Sequence, residues 1–317
     1  MKKISNSKLD SRNRLILKGE YQVNITMSNF EEFISGNWDY NAETKEHSGL
    51  WLHQEKMDIG GGTISKADID KLRKYPETDT LTISGLNQDT FEYFISTYGK
   101  QLRAVRFFKN KMVNNWSLLG ELNQLEFIYF FHNQRIDSLW DMSKNTSLKG
   151  LEISDFTKLK TLSGIEKAPN LEWFGIGDAV WSTSIVDSFK YFKGTKIKRL
   201  SFSGKLIEDD NLSILSDMEY LEHFDFPTNL FSTEQVAWIV ANFPNIKGYA
   251  LKAAREFMGY NNETNKCDIP SLIIIGKRKP HLEISGNEEK IKKYMDNFQR
   301  LVQNFKRVPY ADIFDVK

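Results

Sequence analysis

Cysteine is almost absent from this sequence, and long apolar runs are missing altogether. Cys267 is the single cysteine among 317 residues, which excludes an intramolecular disulfide and a cysteine-based zinc site and suits a reducing compartment. No run of 18 apolar residues occurs, and the basic stretch 1–17 is not followed by the apolar segment of a signal peptide. The sequence therefore predicts a cytoplasmic protein that stays out of membranes.

An excess of charge of either sign is also missing. Lys and Arg number 43 against 42 Asp and Glu, which leaves a formal net charge of +1. No global field thus favours nucleic acid or an anionic membrane as a partner, and electrostatic recognition has to be local. With 40% hydrophobic and 13% aromatic residues, the chain has enough apolar surface to fold around a substantial core.

A 23-residue repeat dominates the centre of the sequence. The segments LRAVRFFKN, LEFIYFFHN, LKGLEISDF and LEWFGIGDA begin at residues 102, 125, 148 and 171, and weaker copies begin at 78, 197, 221 and 246. Repetition of this kind indicates stacked structural units. Three further apolar columns keep the same spacing between the segments: Val113, Ile136 and Leu159; Trp116, Leu139 and Leu162; and Leu119, Met142 and Ile165.

The pattern resembles the leucine-rich repeat, L-x-x-L-x-L-x-x-N, over residues 78–254, which hold about eight copies. The resemblance implies an α/β solenoid of an irregular bacterial type, with a curved parallel sheet on the concave side and helical or irregular returns. The family asparagine, which bonds neighbouring backbones, falls on Asn110, Asn133 and Asn229. Most proteins of this architecture recognise other proteins.

The flanking segments do not repeat. Residues 1–77 are expected to form an N-terminal cap or small α/β domain, because the first turn of a solenoid has an uncovered apolar face. Residues 255–317 read as a C-terminal cap, with a β-hairpin around the basic turn 276–280 and a terminal helix after a capping box of Ser285 with Glu288. A further helix is predicted over 232–243.

In each repeat, positions one, four and six point inward, whereas positions three, five and seven face outward. Phe108, Phe127, Tyr129 and Phe131 thus form an outward aromatic wall. Beside it lies a floor of small residues, among them Gly150, Gly175 and Gly177, which indicates the close approach of another group. The outward side chains predicted to contact a partner are Arg106, Phe108, Phe127, Tyr129, Phe131, Glu152, Trp173, Arg199, His223 and Asp225. The alternative is that residues 1–77 or the C-terminal tail fold across the rings and bury them.

Chemistry has weaker support. Glu152, Asp155 and Asp178, with His132, are the residues that a hydrolase or transferase on this scaffold would use. The glycine-rich stretch 58–65 matches neither the dinucleotide fingerprint nor the P-loop, and the histidines lack HExxH-like spacing. We therefore expect a non-enzymatic, monomeric recognition protein that binds a protein partner, as an adaptor or a neutraliser of a toxin or effector, without catalytic residues, cofactor or metal.

Overall fold

The computed structural model describes residues 14–18, 24–43, 46–47, 49–55, 62–177 and 184–314. The chain divides into two compact units. The first contains the described residues up to Leu159 together with Ser163–Leu171, and the second contains residues 160–162, 172–177 and 184–314. Asp178 and the start of the glycine-rich stretch 58–65 lie outside the described residues.

The fold is mixed α/β and is built on one large open sheet. In the first unit, the strands defined below lie in the order β1, β4, β5, β6, β7 and β8, with β1 antiparallel to β4 and the others parallel. In the second unit, β9, β11 and β13 lie side by side in that order and run parallel. Smaller sheets pair β2 with β3, β10 with β12, and β14, β15 and β16 in that order. The strands are β1 (Arg14–Lys18), β2 (Tyr40–Asn41), β3 (Glu46–His47), β4 (Leu50–Glu55), β5 (Thr80–Ile83), β6 (Ala104–Phe108), β7 (Phe127–Asn133), β8 (Gly150–Phe156), β9 (Trp173–Gly177), β10 (Ile185–Ser188), β11 (Arg199–Ser203), β12 (Leu206–Asp209), β13 (His223–Asp225), β14 (Ala254–Asn261), β15 (Lys266–Ile274) and β16 (His281–Glu283).

Asn87 caps free backbone N–H groups at the start of the helix Gln88–Tyr98, and Ser232 does so at the start of the helix Thr233–Asn242. None of the described helices is long and apolar enough to cross a bilayer. The α-helices are α1 (Phe30–Ser35), α2 (Lys66–Ile69), α3 (Gln88–Tyr98), α4 (Thr233–Asn242) and α5 (Glu288–Asn304). The 3-10 segments are Asp70–Lys74, Gly99–Gln101, Ser117–Glu121, Ile165–Lys167, Lys190–Phe192, Leu212–Asp217 and Tyr310–Asp312.

The strands pair in the register that the repeat predicts. In the first unit, Phe127 lies opposite Ala104 on one side and Gly150 on the other. In the second unit, Arg199 lies opposite both Trp173 and His223. Because register fixes which side chains share a face of the sheet, these pairings confirm the predicted columns within each unit.

The eighth copy departs from the prediction by one residue. The sequence places Gly248 beside His223, whereas a parallel bridge joins His223 to Lys247. The shift brings Tyr249, and not Ala250, level with Asp225, and the N–H of Tyr249 donates to Oδ1 of Asp225 at 3.2 Å. The predicted outward column is therefore wrong at this end.

One face of the sheet carries the core, as the inward positions predict. Leu125, Ile128 and Phe130 are at most 1% exposed. Of the three apolar columns between the strands, only Leu139 is half-buried, and its neighbour Trp140 is buried instead. The equivalent buried residues of other strands are Leu81, Val105, Phe107, Leu151 and Ile153 in the first unit and Phe174, Leu200, Phe202 and Phe224 in the second.

Buried asparagines tie successive connections together. The Asn133 side-chain amide donates to the carbonyl oxygens of Asn110 and Val113, each at 2.9 Å. Its Oδ1 accepts from the N–H groups of Arg135 and Ile136 at 2.8 and 2.9 Å. Asn110 bonds the preceding connection in the same way. The role expected for Asn110 and Asn133 is thus confirmed, since buried backbone groups require such partners.

The asparagine prediction is wrong for Asn229, which is exposed. In the copy that starts at 148, Phe156 replaces the asparagine and packs its ring 5.6 Å from that of Phe130. An asparagine outside the repeat pattern, Asn145, is completely buried, and its Oδ1 accepts from the indole N–H of Trp140 at 2.8 Å.

The C-terminal elements follow the prediction except at a cap. Strands β15 and β16 flank the basic turn, and α4 and α5 lie where helices were expected. The proposed capping box of Ser285 with Glu288 is wrong, because α5 begins after Asn287 without a side-chain cap bond.

Candidate functional site

The face of the sheet opposite the core is here called the second face. Six of the ten predicted contact residues lie on the second face of the first unit, and four lie on the second face of the second unit. Those of the first unit are Arg106, Phe108, Phe127, Tyr129, Phe131 and Glu152, and those of the second are Trp173, Arg199, His223 and Asp225.

Helix α1 packs over Phe127, one ring of the aromatic wall in the first unit. The rings of Phe30 and Phe127 lie 5.1 Å apart between centroids, and Phe127 is 1% exposed. Phe33, on the same helix, is also completely buried. The prediction that Phe127 is displayed to a partner is therefore wrong, because residues within 1–77 bury it, as the alternative interpretation held.

The same helix explains the glycine at position 150. A β-carbon on Gly150 would lie 2.7 Å from Cε1 of Phe30 and 2.8 Å from Cδ1 of Phe127. Carbon atoms do not approach so closely without displacement, since optimal separation is about 3.5 to 4.0 Å. The close approach expected from this glycine is real, and the approaching group belongs to the chain itself.

Arg106 is buried as well, so its predicted role as an exposed contact is wrong. It is 3% exposed, and its guanidinium donates to the carbonyl oxygen of Ile34 at 3.1 Å. Aromatic rings surround the charge, with centroids 5.1 Å away for Tyr129, 5.5 Å for Trp51 and 5.9 Å for Phe108. Burial lowers the pKa of Arg106 to about 10, because the charged form loses hydration. The side chain remains protonated at neutral pH.

Tyr129 is only 7% exposed, contrary to the prediction that it is displayed. Burial raises its pKa, an effect opposed by the hydrogen bond with Ser154 and by the charge of Arg106. Phe108 and Phe131 remain half-buried and stack with ring centroids 4.8 Å apart, and Glu152 is half-buried too. The accessible part of this surface in the first unit is thus small.

In the second unit, the second face carries cations, aromatic rings and a carboxylate in a row. The guanidinium of Arg199 lies 4.1 Å from the ring centroid of Trp173, and Nη2 of Arg199 lies 3.8 Å from Oδ2 of Asp225. Trp173 is 6% exposed, so the prediction of a displayed ring is wrong there, whereas Arg199, His223 and Asp225 are half-buried.

Two residues that the sequence did not single out extend this row. Tyr249 is 38% exposed and bonds to Asp225 through its backbone N–H. The guanidinium of Arg255 lies over the Tyr249 ring, 5.1 Å from its centroid. The one-residue shift of the eighth copy hid Tyr249, since the predicted column placed Ala250 there. We call Trp173, Arg199, His223, Asp225, Tyr249 and Arg255 the cation–aromatic strip.

Of the predicted carboxylate and histidine cluster, His132 and Asp155 lie together and are buried. Nδ1 of His132 lies 2.6 Å from Oδ2 of Asp155, and these residues are 5% and 0% exposed. Both have left-handed backbones, with φ of 61° and 62°, an arrangement that costs about 1 to 2 kcal/mol per residue. Asp155 sits where a solvent-borne substrate does not reach it. No group of three His, Cys, Asp or Glu suited to a metal ion occurs within the described ranges.

Comparison with known proteins identifies no relatives that share the repeat register, the buried first-unit surface or the cation–aromatic strip. A scan against family models finds no match, and a search of curated proteins finds no significant relative.

Proposed function

We propose that this chain is a leucine-rich-repeat solenoid that binds a protein partner. Supporting observations are the parallel strands paired at the repeat register and the amides of Asn110 and Asn133 that bond successive connections. In such an array each unit supports its neighbours, and one face of the sheet is free to evolve as a binding surface.

The cation–aromatic strip of the second unit is the proposed binding surface. Its exposed Tyr249, beside Asp225 and under Arg255, is the observation that carries the proposal. Tyr, Trp and Arg are the residue types that most often dominate the energetics of protein interfaces. The mutual contacts of the strip hold these side chains in place before a partner arrives, which lowers the entropic cost of binding.

Under this proposal the chain is a non-enzymatic, monomeric, cytoplasmic protein that acts as an adaptor or neutralises a toxin or effector. The lone exposed Cys267 suits a reducing compartment. The enzyme alternative, with Glu152, Asp155, Asp178 and His132, gains little support because Asp155 is completely buried.

A paired-variant capture experiment tests the binding surface. Immobilised wild-type protein and the Arg199→Ala/Tyr249→Ala variant are offered the same native lysate. Loss of an interface anchor commonly costs about 2 kcal/mol, or roughly thirtyfold in affinity, so the variant should fail to retain the partner.

The matched control is Arg300→Ala/Tyr220→Ala, which removes the same residue types from exposed positions of the same unit. It should retain the partner as the wild type does. A protein that all three baits hold equally would place its binding surface elsewhere and would overturn the proposal.

A further inference from the structure

A second surface feature, in the first unit, lies where β6, β7 and β8 end. It is a groove with a volume of about 550 Å³. Successive connections contribute to it at the spacing of the repeat, so side chains of three neighbouring copies share one cavity. The lining residues are Lys111, Met112, Asn114, Gln134, Arg135 and Lys158.

The charges of this groove all have the same sign. Lys111, Arg135 and Lys158 line it without a carboxylate among the lining residues. No ion pair of these three occurs within the part of the chain that the structure describes. Lys111 is half-buried, whereas Arg135 and Lys158 are exposed, so all three charges are accessible to an anion in the groove.

Elsewhere in the same unit, neighbouring copies place opposite charges side by side. Glu126 lies between Arg103 and Lys149, with N–O distances of 2.6 and 2.9 Å. Lys144 pairs with Glu121 at 2.9 Å in the same manner. The groove therefore departs from the charge pattern of the surface around it. Ion pairing between neighbouring copies does not explain its three cations.

The remaining lining groups restrict the chemistry of a ligand. Asn114 and Gln134 supply side-chain amides that donate hydrogen bonds, and Met112 is the one apolar residue. No aromatic ring lines the groove, so a nucleobase has no stacking surface. Three cations and two amides match an anion that carries several oxygen atoms on two or more central atoms.

We propose that this groove binds a small anion carrying two or more phosphoryl groups. Lys and Arg are the usual partners of phosphoryl oxygens, through charge-assisted hydrogen bonds. A single phosphate is much smaller than the groove and leaves part of the cationic lining unneutralised. The site is separate from the cation–aromatic strip and does not depend on the proposed protein partner.

Calorimetric titration at constant ionic strength tests the site, with inorganic pyrophosphate, tripolyphosphate and orthophosphate as probes. Pyrophosphate and tripolyphosphate should bind more tightly than orthophosphate. The Lys111→Gln/Lys158→Gln variant should bind pyrophosphate at least about tenfold more weakly, because two charge-assisted contacts are lost. The control variant Lys74→Gln/Lys100→Gln changes the net charge equally at exposed positions outside the groove and should bind as the wild type does.

A second arm identifies the source of the phosphoryl groups. Phosphatidylcholine vesicles, with and without a multiply phosphorylated inositol lipid, are sedimented with wild-type protein and both variants. Groove-dependent sedimentation with the phosphorylated vesicles would assign a lipid headgroup, and pyrophosphate binding without sedimentation would assign a soluble ligand. Equal loss of pyrophosphate affinity in the groove and control variants, or no binding of any probe by the wild type, would overturn the proposal.

Discussion

At position 150, the absence of a β-carbon lets a helix lie against the sheet. Gly150→Ala would bring the added carbon within 2.7 Å of Phe30 and 2.8 Å of Phe127. Overpacking of this kind costs about 1 to 3 kcal/mol, and we expect that loss in the free energy of unfolding measured with urea.

Phe30→Ala supplies the control background for this substitution, because it removes the nearer of the two rings that the new carbon would meet. In that background, adding Gly150→Ala should cost clearly less than it does in the wild type, as residues in contact are not additive. Equal costs in the two backgrounds would show that Phe30 does not set the requirement for glycine.

Two phenylalanines on the second face of the first unit provide a matched pair. Phe127 is 1% exposed against α1, whereas Phe108 is half-buried and stacks on Phe131. Phe127→Ala should therefore lower the free energy of unfolding by about 3 to 5 kcal/mol, the range for buried aromatic truncation. Phe108→Ala should cost less, because solvent already reaches part of the ring. Chemical unfolding of both variants decides the order, and a smaller cost for Phe127 would contradict the burial.

At the scale of elements, periodicity explains what could be predicted from sequence. Strands β6, β7 and β8 repeat the same inward columns, so their existence, register and core face follow from the spacing of Val105, Ile128 and Leu151. Helix α1 has no such signal. Its contact between Phe30 and Phe127 joins a non-repeating segment to a repeat, and no local pattern in either segment specifies the other.

For the same reason, exposure on the second face was easier to predict from the sequence in the second unit than in the first unit. Arg199, His223 and Asp225 stay half-buried because no described element covers them as α1 covers Phe127 and Arg106. Tyr249 was missed because the last copy shifts by one residue, and a single-residue slip exchanges the two faces of a strand.

Helix α1 should detach when its apolar contacts are removed. We expect Phe30→Asp/Phe33→Asp to release the helix, because two completely buried rings would become charged groups in an apolar site. Hydrogen exchange should accelerate at 30–35 while β7 and β8 stay protected, and light scattering should report association through the uncovered rings.

Glu31→Gln/Glu32→Gln alters two exposed positions of the same helix and serves as the control. It should leave exchange and scattering close to those of the wild type. Uniform loss of protection throughout β7 and β8 in the aspartate variant would instead make α1 an obligatory part of the first unit's core.

At the scale of the whole molecule, two buried tyrosines and a lysine, drawn from both units, respond to alkaline pH in the same direction, whereas Arg106, with its lowered pKa, responds in the opposite direction. Burial raises the pKa of Tyr129 in the first unit and of Tyr310 in the second. The hydrogen bond with Glu172 raises the pKa of Lys198. Each of these groups holds its proton more tightly in the folded chain than in the unfolded chain. Unfolding at alkaline pH therefore releases the protons of these three groups, and through them a rise in pH favours unfolding.

We expect the free energy of unfolding to fall as the pH rises from about 8 to about 11, through the ordinary tyrosine pKa of about 10. The stability contributed by the neutral buried tyrosines is complete below that value and is lost above it, because the unfolded tyrosines ionise first. Urea unfolding at both pH values should show a smaller fall for Tyr129→Phe and for Tyr310→Phe than for the wild type. Tyr220→Phe, which replaces a tyrosine that is 49% exposed, should follow the wild type. If the fall is undiminished in both buried-site variants, these two tyrosines do not carry the alkaline dependence.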